Sequence, residues 1–149
     1  MPDGIVRLRY GYVVKCTGFE KDAAGKVTVV HCEYLPDTKS GTPGADAIKV
    51  KGNIHWVSAA HAYSAEVRLY DRLFSVDHPG EADTDYLTQL NPNSVKTISA
   101  QLESSLKDAS AEDRFQFERH GYFVADKKDS AADKPVFNRT VTLRDAWQK

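Results

Sequence analysis

The chain has 149 residues, 41% of them hydrophobic and 28% charged, and its 20 Lys+Arg against 21 Asp+Glu leave a net charge of -1. Such a chain should fold as one ordinary domain or two small lobes sharing a core. No stretch approaches the roughly 20 apolar residues of a membrane span, no basic start followed by an apolar run marks a signal peptide, and the even charge balance argues against a wholly basic nucleic-acid binder while leaving room for a local basic patch.

The first segment, "IVRLRYGYVVKC", alternates cleanly. Val6, Leu8, Tyr10, Tyr12 and Val14 take one face, and Arg7, Arg9, Gly11, Val13 and Lys15 the other, which predicts a single half-buried strand. A turn at Asp22-Ala-Ala-Gly25 and a returning strand over 27–34 follow. Residues 36–46, "PDTKSGTPGAD", form a polar loop. Strands are predicted over 48–58 and 65–76, the latter bulky on both faces and so expected between two packed units. A turn at Pro79-Gly80 leads to one or two helical turns in "TDYLTQL", capped by Asp83 or Thr84. A strand over 94–103, a helical turn in "SSLKDAS", and a final strand over 136–143 reached through the hairpin loop "DKKDSAADKP" complete the pattern, with "RDAWQK" as a tail. Short strands separated by turn signals predict an all-β fold, a barrel or pair of barrels, with one or two short helices.

Enzyme signatures are missing from this pattern. "PGAD" and "HPGEAD" lack the spacing and the Lys-Ser/Thr of a phosphate loop. Ser58, His61 and Asp71 have no nucleophile-elbow context and read as a strand-end turn and its surroundings. His31, Cys32, His55 and His61 show no paired ligand spacing, so no metal site is expected. Cys16 and Cys32, without a secretory signal, read as two thiols in a reducing cytosol.

Two polar groupings stand out instead. On a strand, Arg7 and Arg9 at i and i+2 point outward roughly 7 Å apart. Two guanidiniums so placed can straddle a nucleotide, one meeting a phosphate and the other a base; the bland alternative is a pair of solvent-facing arginines. The stretch "FQFERHGYF" places Phe115 and Phe117 in one phase and Tyr122 and Val124 in the other. One extra residue in a β-bulge, made cheap by Gly121, turns all four toward the core and leaves Gln116 and Arg119 on the outer face. Gln offers donor and acceptor and Arg only donors, a set suited to an unpaired base with keto oxygens such as uridine. A plain bulge with Arg119 in a salt bridge is the alternative.

Taken together, "VRLRYGYVVKC", "VKGNIHWVSAAHAYSAEVRLYDRLFSVDHPG", "SLKDA", "FQFERHGYF" and "KPVFNRTVTLRDAW" resemble the C-terminal anticodon-binding region of bacterial glutaminyl-tRNA synthetase, in the same order, from Val6 to Trp147. The glutamyl enzymes of eukaryotes and archaea are the nearest alternative, and a protein-interaction barrel without an RNA role is a rival of another class. The resemblance implies two β-barrels, distal (mainly 5–78) and proximal (79–149), that share strands. It implies that Arg7 and Arg9 lie at the first anticodon nucleotide, and Gln116 and Arg119 at the central uridine, of glutamine tRNA. Tyr10-Gly11 departs from the family's usual Asn-Ala step. The resemblance further implies a cytoplasmic, non-catalytic portion of an ATP-dependent ligase, working with the parent's own N-terminal catalytic domain, where ATP and Mg belong. No cofactor is expected in this chain and no membrane partner. Met1-Pro2-Asp3-Gly4 reads as an artificial or processed start, with the proximal barrel incomplete.

Overall fold

A computed structural model describes residues 3–144. Met1, Pro2 and the tail that includes Trp147 lie outside the described residues. The described residues form nine strands in two sheets, and the helices among them are short 3-10 turns at Glu81–Asp83, Tyr86–Gln89 and Ser104–Asp108. The all-β expectation holds. The chain divides into two compact units, Met1–Trp56 and Val57–Lys149.

The first unit carries β1 (Ile5–Leu8), β2 (Val13–Lys21), β3 (Val27–Tyr34) and β4 (Asn53–Ile54), in the order β3-β2-β1-β4. The β2–β3 turn forms where expected. Gly25 adopts φ 80°, its N–H reaches the Asp22 carbonyl at 2.9 Å, and the Asp22 carboxylate accepts from the Ala24 and Lys26 amides. This is the side-chain-to-backbone bonding for which turns select Asp. The core here is small: Val13 and Val14 are buried, whereas every residue of β3 is exposed. The strand expected over 48–58 shrinks to two residues paired parallel to β1.

The second unit carries β5 (Tyr63–Tyr70), β6 (Val95–Leu102), β7 (Arg114–Phe117), β8 (Gly121–Ala125) and β9 (Val136–Val141), in the order β6-β5-β9-β8-β7. Its core is one apolar cluster of Ala65, Val67, Leu102, Phe123, Ala125 and Phe137. Phe117 stacks on Phe123 at 4.3 Å, and Phe115 meets Phe137 edge-on at 5.9 Å. Full burial of such a ring is worth about 1.5–3 kcal/mol; Phe123 and Phe137 are fully inside, and Phe115 and Phe117 are partly buried against them. The odd residues Ala65 and Val67 face this cluster. On the even positions, Arg68 donates to Glu66 at 2.8 Å and reaches Asp129 at 2.7 Å. Asp126 anchors the same loop: its carboxylate accepts from the amides of Lys128 and Asp129 and from the Asn138 side chain. These bonds, led by the Asp129 amide, hold its pKa below the usual carboxylate value.

The strand expected over 65–76 ends at Tyr70; beyond it Phe74 makes only an isolated bridge to Leu90. The turn in "TDYLTQL" is capped by Asp85, not by Asp83 or Thr84: the Asp85 carboxylate accepts from the Leu87 amide at 3.0 Å.

Candidate nucleic-acid interface

The segment holding Arg7 and Arg9 is a hairpin, not a single strand. β1 pairs antiparallel with β2, Val6 opposite Val14 and Arg7 opposite Val13. The reversal is made by Leu8 to Gly11: the Gly11 amide bonds to the Leu8 carbonyl at 2.8 Å and the Leu8 amide to the Tyr12 carbonyl at 2.9 Å. Tyr10 supplies the left-handed residue, at φ 58°. A Cβ at Gly11 would lie 3.2 Å from Leu8 Cβ, so a small residue lets the turn close tightly.

The two arginines therefore do not share an outward strand face. Arg7 is half-buried. Its Nη1 donates to the carbonyls of Thr38 at 2.6 Å and Gly11 at 3.4 Å, and its Nη2 to the Ala45 carbonyl. Arg9 stands in the turn, its guanidinium 4.9 Å from the centre of the Tyr10 ring and its Nη2 3.1 Å from the Tyr10 hydroxyl. The Arg9 main chain is held on its other flank: its amide bonds to the Ile54 carbonyl at 2.9 Å, and its carbonyl accepts from the Trp56 indole at 3.0 Å. Tyr10, at 71% exposure, is the most open large apolar side chain described.

"FQFERHGYF" is likewise a hairpin, not a bulged strand. β7 and β8 pair with Phe115 opposite Phe123, Gln116 opposite Tyr122 and Phe117 opposite Gly121. Glu118, Arg119 and His120 form the turn, with the His120 amide on the Phe117 carbonyl at 2.9 Å and Arg119 at φ 67°. The core face is Phe115, Phe117 and Phe123. Tyr122, expected inside, is 44% exposed across from Gln116. Gln116 and Arg119 are both exposed and belong to one hairpin. A register irregularity does occur beside them, where the β8–β9 pairing steps from Tyr122–Val141 to Phe123–Arg139 and skips Thr140. Gly121 is required by that close approach: a Cβ there would fall 2.5 Å from the Val141 carbonyl oxygen.

The structure thus puts Arg7 and Arg9 around one turn in the first unit, and Gln116 and Arg119 on one hairpin in the second. Sequence reading missed Tyr122 as an exposed neighbour of Gln116; the matching parity of 116 and 122 was the available signal. It also missed Thr38, a buried polar residue, and Trp56, whose roles depend on distant partners.

Two family models with the description "tRNA synthetases class I (E and Q), anti-codon binding domain" match residues 1–35 and 53–126. The chain belongs to this family. It is 67% identical over 99% of its length to a glutamine–tRNA ligase of Ralstonia pickettii, 65% identical over the same share to that of Cupriavidus metallidurans, and 62% identical over 98% to that of Bordetella avium. The chain spans about a quarter of the length of these curated relatives: 26%, 25% and 25%. The resemblance to the glutaminyl anticodon-binding domain is therefore borne out along the whole chain. Within that domain, the two hairpins carry the arginines and the glutamine that the resemblance singled out, Arg9 and Arg119 in the turns and Arg7 and Gln116 on the strands beside them. No described helix is long and apolar enough to cross a membrane.

Proposed function

We propose that this domain grips the anticodon loop of glutamine tRNA and performs no chemistry of its own. Arg9 at the β1–β2 turn serves the first anticodon nucleotide, with Arg7 behind it. Gln116 and Arg119 on the β7–β8 hairpin read the central uridine. The observation that supports this best is the β7–β8 hairpin. Its inner face packs Phe115, Phe117 and Phe123 into or against the core, and its outer face and turn offer an amide, a guanidinium and an exposed phenol within the seven residues from Gln116 to Tyr122. Unpaired bases are recognised by this combination of edge hydrogen bonds and aromatic faces. The division into a distal barrel (mainly 5–78) and a proximal barrel (79–149) does not follow the two sheets, because β5 (Tyr63–Tyr70) pairs with the later strands.

The remaining three-quarters of a ligase like the relatives would hold the ATP and Mg chemistry and act in the cytoplasm. Correct anticodon contacts would favour the tRNA pose that this catalytic portion needs, a coupling between two sites. A base-edge contact of this kind is worth about 1–3 kcal/mol. NMR titration of the chain with an anticodon stem-loop of glutamine tRNA tests the reading. Arg119→Ala should weaken binding tenfold or more and erase the preference for uridine over cytidine at the centre. Equal affinity of both proteins for both stem-loops would defeat it.

A further inference from the structure

Arg7 is tied to three separate carbonyls, two of them in the loop over 36–46 and one in the β1–β2 turn. Its Nη1 also lies 3.5 Å from Ser40 Oγ. The planar guanidinium suits this task, because it presents several N–H groups in a fixed fork. The same loop is stitched to the turn by bonds that do not involve Arg7. The Ser40 amide and hydroxyl both donate to the Gly11 carbonyl, at 3.0 and 3.1 Å. Thr38, 3% exposed, donates its hydroxyl to the Leu35 carbonyl at 2.7 Å and accepts the Val13 amide at 2.9 Å. The opposite flank of the turn is held by Ile54 and Trp56 through the Arg9 main chain.

A nucleotide that took Arg7 for itself would draw its guanidinium away from the Thr38 and Ala45 carbonyls, while the Gly11 carbonyl would keep Ser40 as its donor. We infer that Arg7 is a positioning residue: it locks the 36–46 loop against the β1–β2 turn and so fixes Arg9 and Tyr10 at the tip, where Arg9 is the nucleotide-facing arginine. The inference rests on the anticodon reading, and it divides the roles of two arginines that look equivalent in sequence.

The test pairs hydrogen exchange with RNA binding across a salt series. Arg7→Ala and Arg7→Lys should each speed amide exchange over 36–47 at least tenfold, because an ammonium cannot span the three carbonyls. Both should weaken binding of the anticodon stem-loop while leaving the slope of log K against log salt unchanged. Arg9→Ala should weaken binding without altering exchange in the loop. If Arg7→Ala does not fold, Arg7→Lys and Thr38→Val carry the test. Full affinity in Arg7→Lys, unchanged loop exchange in both Arg7 variants, or a slope reduced by about 0.7 as for a lost phosphate contact would each overturn the inference. Failure of Arg9→Ala and Arg119→Ala alike to change binding would instead overturn the anticodon reading, while the exchange data still decide whether Arg7 holds the loop.

Discussion

Cys16 lies directly opposite Cys32 across the β2–β3 ladder, and both are free thiols. Opposed residues in antiparallel strands have Cα atoms about 4.5–5.5 Å apart, inside the range a disulfide spans. Treatment with oxidised glutathione should therefore join them, two thiol hydrogens passing to the glutathione as it is reduced. Closing a loop of about 15 residues adds about 3 kcal/mol in the chain-entropy account. The oxidised chain should melt at higher temperature and lose both titratable thiols. Formation of intermolecular dimers alone would contradict this.

Gly121 combines φ 135° with a carbonyl at its back. Both exclude a side chain, the first by backbone strain and the second by contact with Val141. Gly121→Ala should destabilise the second unit by about 2 kcal/mol or more, read as a lower denaturant midpoint. A midpoint within error of the parent chain would show that β8 and β9 part easily here.

Asp126 predicts a pH dependence. Bonds from Asp129, Asn138 and Lys128 lower its pKa in the fold from an unfolded value of about 3.9. A lowered folded pKa means that the stabilisation is complete above about pH 4 and is lost as pH falls through the folded value. Asp126→Ala should cost about 2 kcal/mol at pH 7, and the gap to the parent chain should shrink on acidification below pH 4. A gap constant from pH 7 to pH 2 would mean that the charge contributes nothing.

Tyr122 faces out beside Gln116. If the hairpin meets an unpaired base, its ring is placed to stack there, worth about 1–3 kcal/mol. Tyr122→Phe should bind the stem-loop like the parent chain, and Tyr122→Ala should bind at least fivefold more weakly. An abasic central nucleotide should abolish the difference. Equal binding by Tyr122→Ala would remove the ring from the interface.

The strand pattern was legible because strands and turns announce themselves locally. β3 and the Asp22–Gly25 turn fell where alternation and turn chemistry put them. The two hairpins were hidden for a physical reason. In β1–β2 the paired residues are Val6 with Val14, and in β7–β8 they are Phe115 with Phe123. Each pair shares parity, so in β1–β2 the alternation runs through the turn unbroken and the reversal looks like a continuous strand, while in β7–β8 the apolar Tyr122 and Val124 suggest a phase slip that reads as a bulge and not as a reversal. Left-handed Tyr10 and Arg119 gave no warning, since neither is a residue that turns favour at such φ. In the second hairpin the polar residues were still identified, but Tyr122 was put on the wrong face. In the first, the fate of Arg7 depends on carbonyls 31 and 38 residues away, which no local pattern encodes.

Strand β9, the last in sequence among the described strands, does not sit at an edge. It lies between β5, to which it runs parallel, and β8. The hairpins β5–β6 and β7–β8 can each form early, but nothing joins them until residues 136–141 emerge. Completion of this sheet must then wait for residues 136–141, more than 60 positions after β5 begins, and such non-local pairing is slow. A stop codon before residue 136 would not trim the domain; it would leave two unconnected ribbons, each with an open edge.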